Sequence, residues 1–98
     1  MIRSFEIRAP ARKDITDAVH WYEQRVPGLG TEFLQSLDVC FSNIQHSPDS
    51  FASVHPRVRR ALVQRFPYGV FYVVEGPRIS VIACLHVRRH PASWKART

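Results

Sequence analysis

The spacing of apolar and polar positions changes along the chain, and each change marks an element. Residues 3–8 (Arg-Ser-Phe-Glu-Ile-Arg) alternate, with Phe5 and Ile7 on one face, which predicts a short half-buried strand ended by Ala9-Pro10. From Ala11 to Val26 the apolar positions Ile15, Ala18, Val19, Tyr22 and Val26 fall at helical spacing. Asp14 and Asp17 lie near that segment's N-terminal end, where the helix dipole favours carboxylates, so a helix of about four turns is expected. Pro27-Gly28-Leu29-Gly30 breaks it, since proline lacks an N–H and glycine supplies unusual backbone angles. A second helix is predicted from about Thr31 to His46, with Phe33, Leu37, Cys40, Phe41 and Ile44 as its stripe and Ser47-Pro48 as its stop. Two such helices joined by a tight turn form a helical hairpin.

The period then shortens. Residues 49–56 read as an ordered loop anchored by Phe51 and Val54, and three strand-like runs follow: Val58 to Phe66, Tyr68 to Glu75 and Ile79 to Val87. Their links, Pro67 and Gly76-Pro77, suit antiparallel hairpins, which predicts a three-stranded antiparallel meander. The expected class is α+β: an N-terminal strand, a helical hairpin, then the meander, with the hairpin on one sheet face and the other face free. In the first run, alternation puts Arg57, Arg59, Ala61, Val63 and Arg65 on one side and Val58, Arg60, Leu62, Gln64 and Phe66 on the other. In the last run, Ile79, Val81, Ala83, Leu85 and Val87 share a face opposite Ser80, Ile82, Cys84, His86 and Arg88. The tail from His90 carries one aromatic residue, Trp94, which either locks it to the core or sits near a ligand.

At 98 residues with 45% hydrophobic content, residues 1–98 are expected to form one domain. No run approaches the roughly 18 apolar residues of a membrane span, and the N-terminus has no apolar segment of secretory type. These features, with no membrane partner implied, predict a cytoplasmic protein. Cys40 and Cys84 lie far apart without metal-ligand spacing and read as buried thiols, so neither a metal nor a cofactor is expected.

Charge sharpens the picture when it is divided along the chain. Residues 1–56 hold five basic and seven acidic residues, whereas residues 57–98 hold nine basic residues against Glu75 alone. Twelve of the fourteen basic residues are arginines, whose planar fork of donors fits phosphate and carboxylate oxygens. A concentrated arginine surface points to a polyanionic partner, either nucleic acid or an acidic protein.

Arg59 or Arg60, Arg65, His86, Arg88 or Arg89 and His90 supply the parts for metal-free RNA cleavage. Histidine would serve as acid or base, and guanidinium groups would hold the phosphate. The alternative is that these residues only bind an anionic partner. His20, His46 and His55 have no convincing partner, and His20 with Glu23 lacks a third metal ligand; Trp21-Tyr22 reads as packing. The absence of a Walker loop, GxGxxG, HExxH and GxSxG removes support for nucleotide-dependent, zincin and serine-hydrolase chemistry.

Four segments in order carry a resemblance. They are Asp14-Ile15-xx-Ala18-xx-Trp21-Tyr22-Glu23, Pro27-Gly28-Leu29-Gly30-xx-Phe33-Leu34, Arg60-Ala61-Leu62-Val63-xx-Phe66-Pro67-Tyr68-Gly69-Val70-Phe71-Tyr72, and Val81-Ile82-Ala83-xx-His86-xx-Arg89-x-Pro91-xx-Trp94-xx-Arg97. Together they resemble the RelE/ParE superfamily, the toxins of bacterial type II toxin–antitoxin modules, including the plasmid-stabilisation type. The resemblance implies a helical hairpin on a small antiparallel sheet and a cognate antitoxin whose acidic C-terminal segment suits the arginine-rich half. Two activities follow from it. RelE-like members cut messenger RNA on the ribosome, which would make His86, Arg65 and Arg89 catalytic. Arg57, Arg59, Arg60, Arg88, His90 and Arg97 would then bind phosphate or a partner. ParE-like members inhibit DNA gyrase without a nuclease site, and no Tyr follows Tyr72 to match the C-terminal tyrosine of some RelE-like nucleases. The expectation is ribosome-dependent mRNA cleavage, with gyrase inhibition as the alternative.

Overall fold

The computed structural model describes residues 4–98, so Arg3, read above into the first strand, lies outside the described residues. The elements are β1 (Ser4–Ile7), α1 (Ala9–Arg25), α2 (Leu29–His46), β2 (Ala52–His55), β3 (Val58–Leu62), β4 (Tyr68–Glu75), β5 (Arg78–His86) and a C-terminal 3-10 turn (Ser93–Arg97). Helix α1 begins two residues earlier than the apolar period predicts because Pro10 sits in its first turn, where a missing N–H costs nothing. No helix among the described residues is long and apolar enough to cross a membrane.

The hairpin turn is fixed by a side chain as well as by glycine. Gly28 adopts φ +90°, and the Glu23 carboxylate, two residues before the end of α1, accepts the Gly28 and Gly30 amides at 2.9 and 3.0 Å. A carboxylate thus satisfies the first free N–H groups of α2 and sits at the positive end of its dipole. Gly30 lets the helices meet: a Cβ there would stand 2.9 Å from the Val19 carbonyl oxygen.

The sheet has five strands in the order β1-β5-β4-β3-β2. The expected antiparallel meander is present as β3-β4-β5, but it is not the whole sheet, which is mixed: β1 pairs parallel with β5, and β2 adds an antiparallel strand beside β3. β2 occupies the stretch read as a loop. Its residues are mostly exposed and its register slips between Ser53 and His55, so no alternating apolar signal marks it. β3 stops at Leu62 rather than Phe66. The chain turns through Arg65 at φ +71° and the Val63 amide bonds the Tyr68 carbonyl at 2.9 Å, which drops Phe66 against Tyr22 and Phe33. With Tyr68 these rings form an aromatic cluster between hairpin and sheet, centroids 4.9 to 5.9 Å apart.

A β-bulge changes which residues face the helices. Phe71 pairs with Ala83 but Tyr72 pairs with Val81, leaving Ile82 as the extra residue of β5. Ile79 and Val81 therefore join Cys84 in the core beneath the helices, while Ile82, Ala83 and Leu85 pack on the opposite side. The uninterrupted alternation expected from the sequence is corrected from Ile82 onward, and His86 moves to the helix side with Cys84.

The opposite face is also not free. Trp94 is buried on it, its ring stacked on Phe71 at 5.3 Å and edge-on to His55 at 6.0 Å. Its indole N–H donates to the Pro91 carbonyl at 3.2 Å, so the tail closes on itself as it crosses the sheet. Gly30→Ala is expected to lower stability by about 1–3 kcal/mol, read as a shifted urea midpoint, because the new methyl meets backbone that moves only with the whole helix.

Candidate functional site

β5 sets the geometry of the basic half. One edge is paired with β4 along its whole length, but β1 covers the other only from Arg78 to Val81. Beyond that point two side chains replace the missing strand. Asp14 of α1 accepts the Cys84 amide at 3.0 Å, and Arg97 of the tail donates to the Ile82 carbonyl at 3.2 Å. The two grip each other through both terminal guanidinium nitrogens, at 2.5 and 3.2 Å, with the Asp14 and Arg97 side chains 11% and 27% exposed. A bidentate, largely desolvated pair fixes orientation as well as energy. Arg97, expected to meet phosphate or a partner, is held inside the fold.

His86 ends β5 as a cap. Its Nδ1 accepts the amides of Arg88 and Arg89 at 3.1 and 3.2 Å, so the neutral ring carries its proton on Nε2. Burial, then the cations of Arg89, His90 and Arg88, push its pKa below the usual histidine range. Protonation would put a hydrogen on Nδ1 where two N–H groups already point. The ring sits 5.5 Å from Tyr68 and borders an open cavity of about 200 Å³ with Asp14, Asp17, Trp21, Arg89 and His90.

Arg89 reaches across this cavity to the Trp21 indole, 5.0 Å from its centroid, and Arg25 lies on the same indole at 4.2 Å. Trp21 thus has a role beyond the packing expected of it, as the surface on which two guanidinium groups stack. The signal was legible only as the helical spacing of Trp21 and Arg25. Glu23 and Asp14 were also missed as organisers: each bonds backbone amides of a segment that sequence distance hides.

The remaining arginines scatter. Arg65, expected beside His86, stands in the turn before β4 and pairs with Glu32 of α2 at 2.8 Å, outside the cavity that holds His86 and Arg89. Arg57 pairs with Glu75 at 3.0 Å, and Arg59 donates to the Phe51 carbonyl at 2.7 Å beneath β2. Arg60 lies on the face away from the helices, while Arg88 and His90 are exposed after β5. The cluster read from the sequence is therefore brought together only in part: His86, Arg89 and His90 share a site, and Arg65 and Arg97 do not belong to it.

Both thiols are inert; burial lifts Cys40 to about 11 and raises Cys84 further. Among the described residues no group of three or more His, Cys, Asp or Glu side chains is placed to hold a metal ion.

Two measurements test this geometry. Arg97→Met leaves the Asp14 carboxylate and the Ile82 carbonyl without their partner and is expected to cost about 3 kcal/mol in chemical denaturation. His86 is depressed in the folded state, so the unfolded chain binds its proton more readily. The cap's contribution is complete above the ordinary value of 6.5 and is lost as pH falls from there through the lower folded value. The expected result is a urea midpoint that drops on acidification below 6.5, with a smaller drop in His86→Asn.

Three comparisons bear on what this fold is. No curated protein sequence matches the chain. Among solved structures, a chain of the chromosomal ParDE toxin–antitoxin system from P. aeruginosa superposes with a TM-score of 0.77 at 19% identity, covering 87% of this chain and 96% of that one. The model of the ParE toxin of the type II toxin–antitoxin system parDE matches residues 5–91, from β1 to the start of the tail, and so takes in the hairpin lock, the bulge and the His86 cap. The protein is a type II toxin of the ParE family.

Proposed function

We propose that this toxin acts by binding DNA gyrase and arresting it on DNA, without a nuclease step, and that its cognate antitoxin neutralises it by covering the basic surface. The observation that carries the reading is the state of His86. An acid–base histidine has to exchange a proton near neutral pH, and this ring spends Nδ1 on two backbone amides, so its neutral form only donates. The arginines that would stabilise a pentavalent phosphate are engaged elsewhere, Arg65 with Glu32 and Arg97 with Asp14. Membership of the ParE family supports the same choice, because ParE-like toxins are gyrase inhibitors. The arginines of residues 57–98 then serve as a contact surface for an anionic partner.

The test pairs two purified systems. With gyrase, relaxed plasmid and ATP, the toxin is expected to abolish supercoiling and to leave double-strand breaks after detergent and protease. With programmed ribosomes it is expected to leave the message intact. Untouched supercoiling at molar excess, together with cut messenger RNA, would overturn the proposal and return His86 and Arg89 to a catalytic role.

A further inference from the structure

We infer that the cavity between α1 and the end of β5 receives an aspartate or glutamate side chain of gyrase, held by Arg89, Tyr68 and His86. The inference rests on the gyrase reading and names the contact through which that binding occurs. Three donors meet in the cavity without an acceptor among the described residues. The His86 ring spends Nδ1 on the Arg88 and Arg89 amides, which leaves Nε2–H as its one donor. Tyr68 lines the same cavity, and its hydroxyl has no partner among the described residues. Arg60 Nε is the buried side-chain nitrogen or oxygen left without one, so the Tyr68 oxygen is open to solvent although its residue is only 8% exposed. Burial raises this phenol above the ordinary tyrosine value while the nearby Arg89 charge opposes the shift, and the hydroxyl keeps its proton at neutral pH. Arg89 lies over the Trp21 indole at 5.0 Å, and a stacked guanidinium keeps the N–H groups around its edge free. No carboxylate pairs with it among the described residues.

These donors are in place before a partner arrives. The His90 amide donates to the His86 carbonyl at 3.0 Å, so the turn that carries Arg89 is closed by backbone and by the His86 ring together. Fixed donors lose little freedom on binding. Asp14 and Asp17 also line the cavity, but each is already answered: Asp14 by Arg97 and the Cys84 amide, Asp17 by Lys13 at 2.8 Å. A volume of about 200 Å³ admits one side chain. A carboxylate offers roughly four acceptor positions on two oxygens, enough for Arg89, Tyr68 and His86 together. Its single charge meets the one unpaired cation of the cavity, and Ala18 and Leu85 supply apolar wall for its methylene stem. Duplex DNA carries a phosphate about every 1.7 Å along its axis and would set neighbouring phosphates against Asp17.

The experiment measures the affinity of purified toxin for gyrase, first without DNA and then with plasmid. Arg89→Gln is expected to lower affinity about ten- to a hundredfold and Tyr68→Phe about three- to tenfold. Urea midpoints are expected to stay close to the parent's, because neither group that is removed has a hydrogen-bond partner in the fold. Arg89→Lys places an amine in the cavity, and a water-soluble carbodiimide is expected to join it as an amide to a gyrase aspartate or glutamate, located by mass spectrometry of the digested adduct. A parent toxin that does not bind gyrase overturns the gyrase reading and this contact with it. A parent that binds and arrests gyrase while Arg89→Gln and Tyr68→Phe bind as tightly, or while no adduct forms at position 89, overturns the contact alone. So does a loss of affinity matched by a lowered urea midpoint, which marks a structural role, or one seen only with plasmid present, which marks a DNA contact.

Discussion

The open half of the β5 edge is the constraint around which the rest of the molecule is arranged. A central strand whose N–H and C=O groups lose their neighbour after Val81 cannot stay buried unless something else bonds them. Asp14 and Arg97 do so as a pair, one accepting from Cys84 and the other donating to Ile82. The residues come from opposite ends of the chain, so the same contact ties the start of α1 to the tail. With Arg97 fixed, Trp94 has to cross the outer face, where it stacks on Phe71 and covers that part of the sheet. The Ile82 bulge belongs to the same solution, since it turns Cys84 and His86 toward α1.

The arginine excess divides accordingly into structural and available cations. Arg97 and Arg59 have their heads bound to backbone carbonyls of the fold, and Arg57 and Arg65 are in exposed ion pairs that contribute little to stability. Arg25 and Arg89 lie on Trp21, which keeps two like charges near each other beside the cavity that Asp14 and Asp17 also line. Arg60 and Arg88 have no carboxylate at all among the described residues. Net charge thus overstates the binding surface and misplaces part of it.

What the sequence made legible follows from the range of the interactions. The helical hairpin was readable because apolar stripes and the Pro-Gly turn are local, and β4 and β5 because burial on both faces leaves near-continuous apolar runs. β2 was not, because an edge strand of exposed small and polar residues carries no period, and its pairing is specified by β3. The bulge was not either, since nothing in Val81-Ile82-Ala83 marks the slip, and one slip exchanges the faces of all that follows. Of the candidate site, His86, Arg89 and His90 could be grouped because they sit within one strand end. Arg65 and Arg97 were assigned to it by charge alone, and their actual partners, Glu32 and Asp14, are 33 and 83 residues away.

A toxin that binds and one that cuts make different demands on the same side chains. A nuclease site needs its cations free to meet a charge that appears only in the transition state, and its histidine free to change protonation. Here the side chains nearest that description are committed to ground-state tasks: a strand edge, a capped turn, a stacked indole. Arg60 stands apart because it has no such task, and its buried Nε–H, bonded to nothing in the fold, is a cost to stability rather than a contribution.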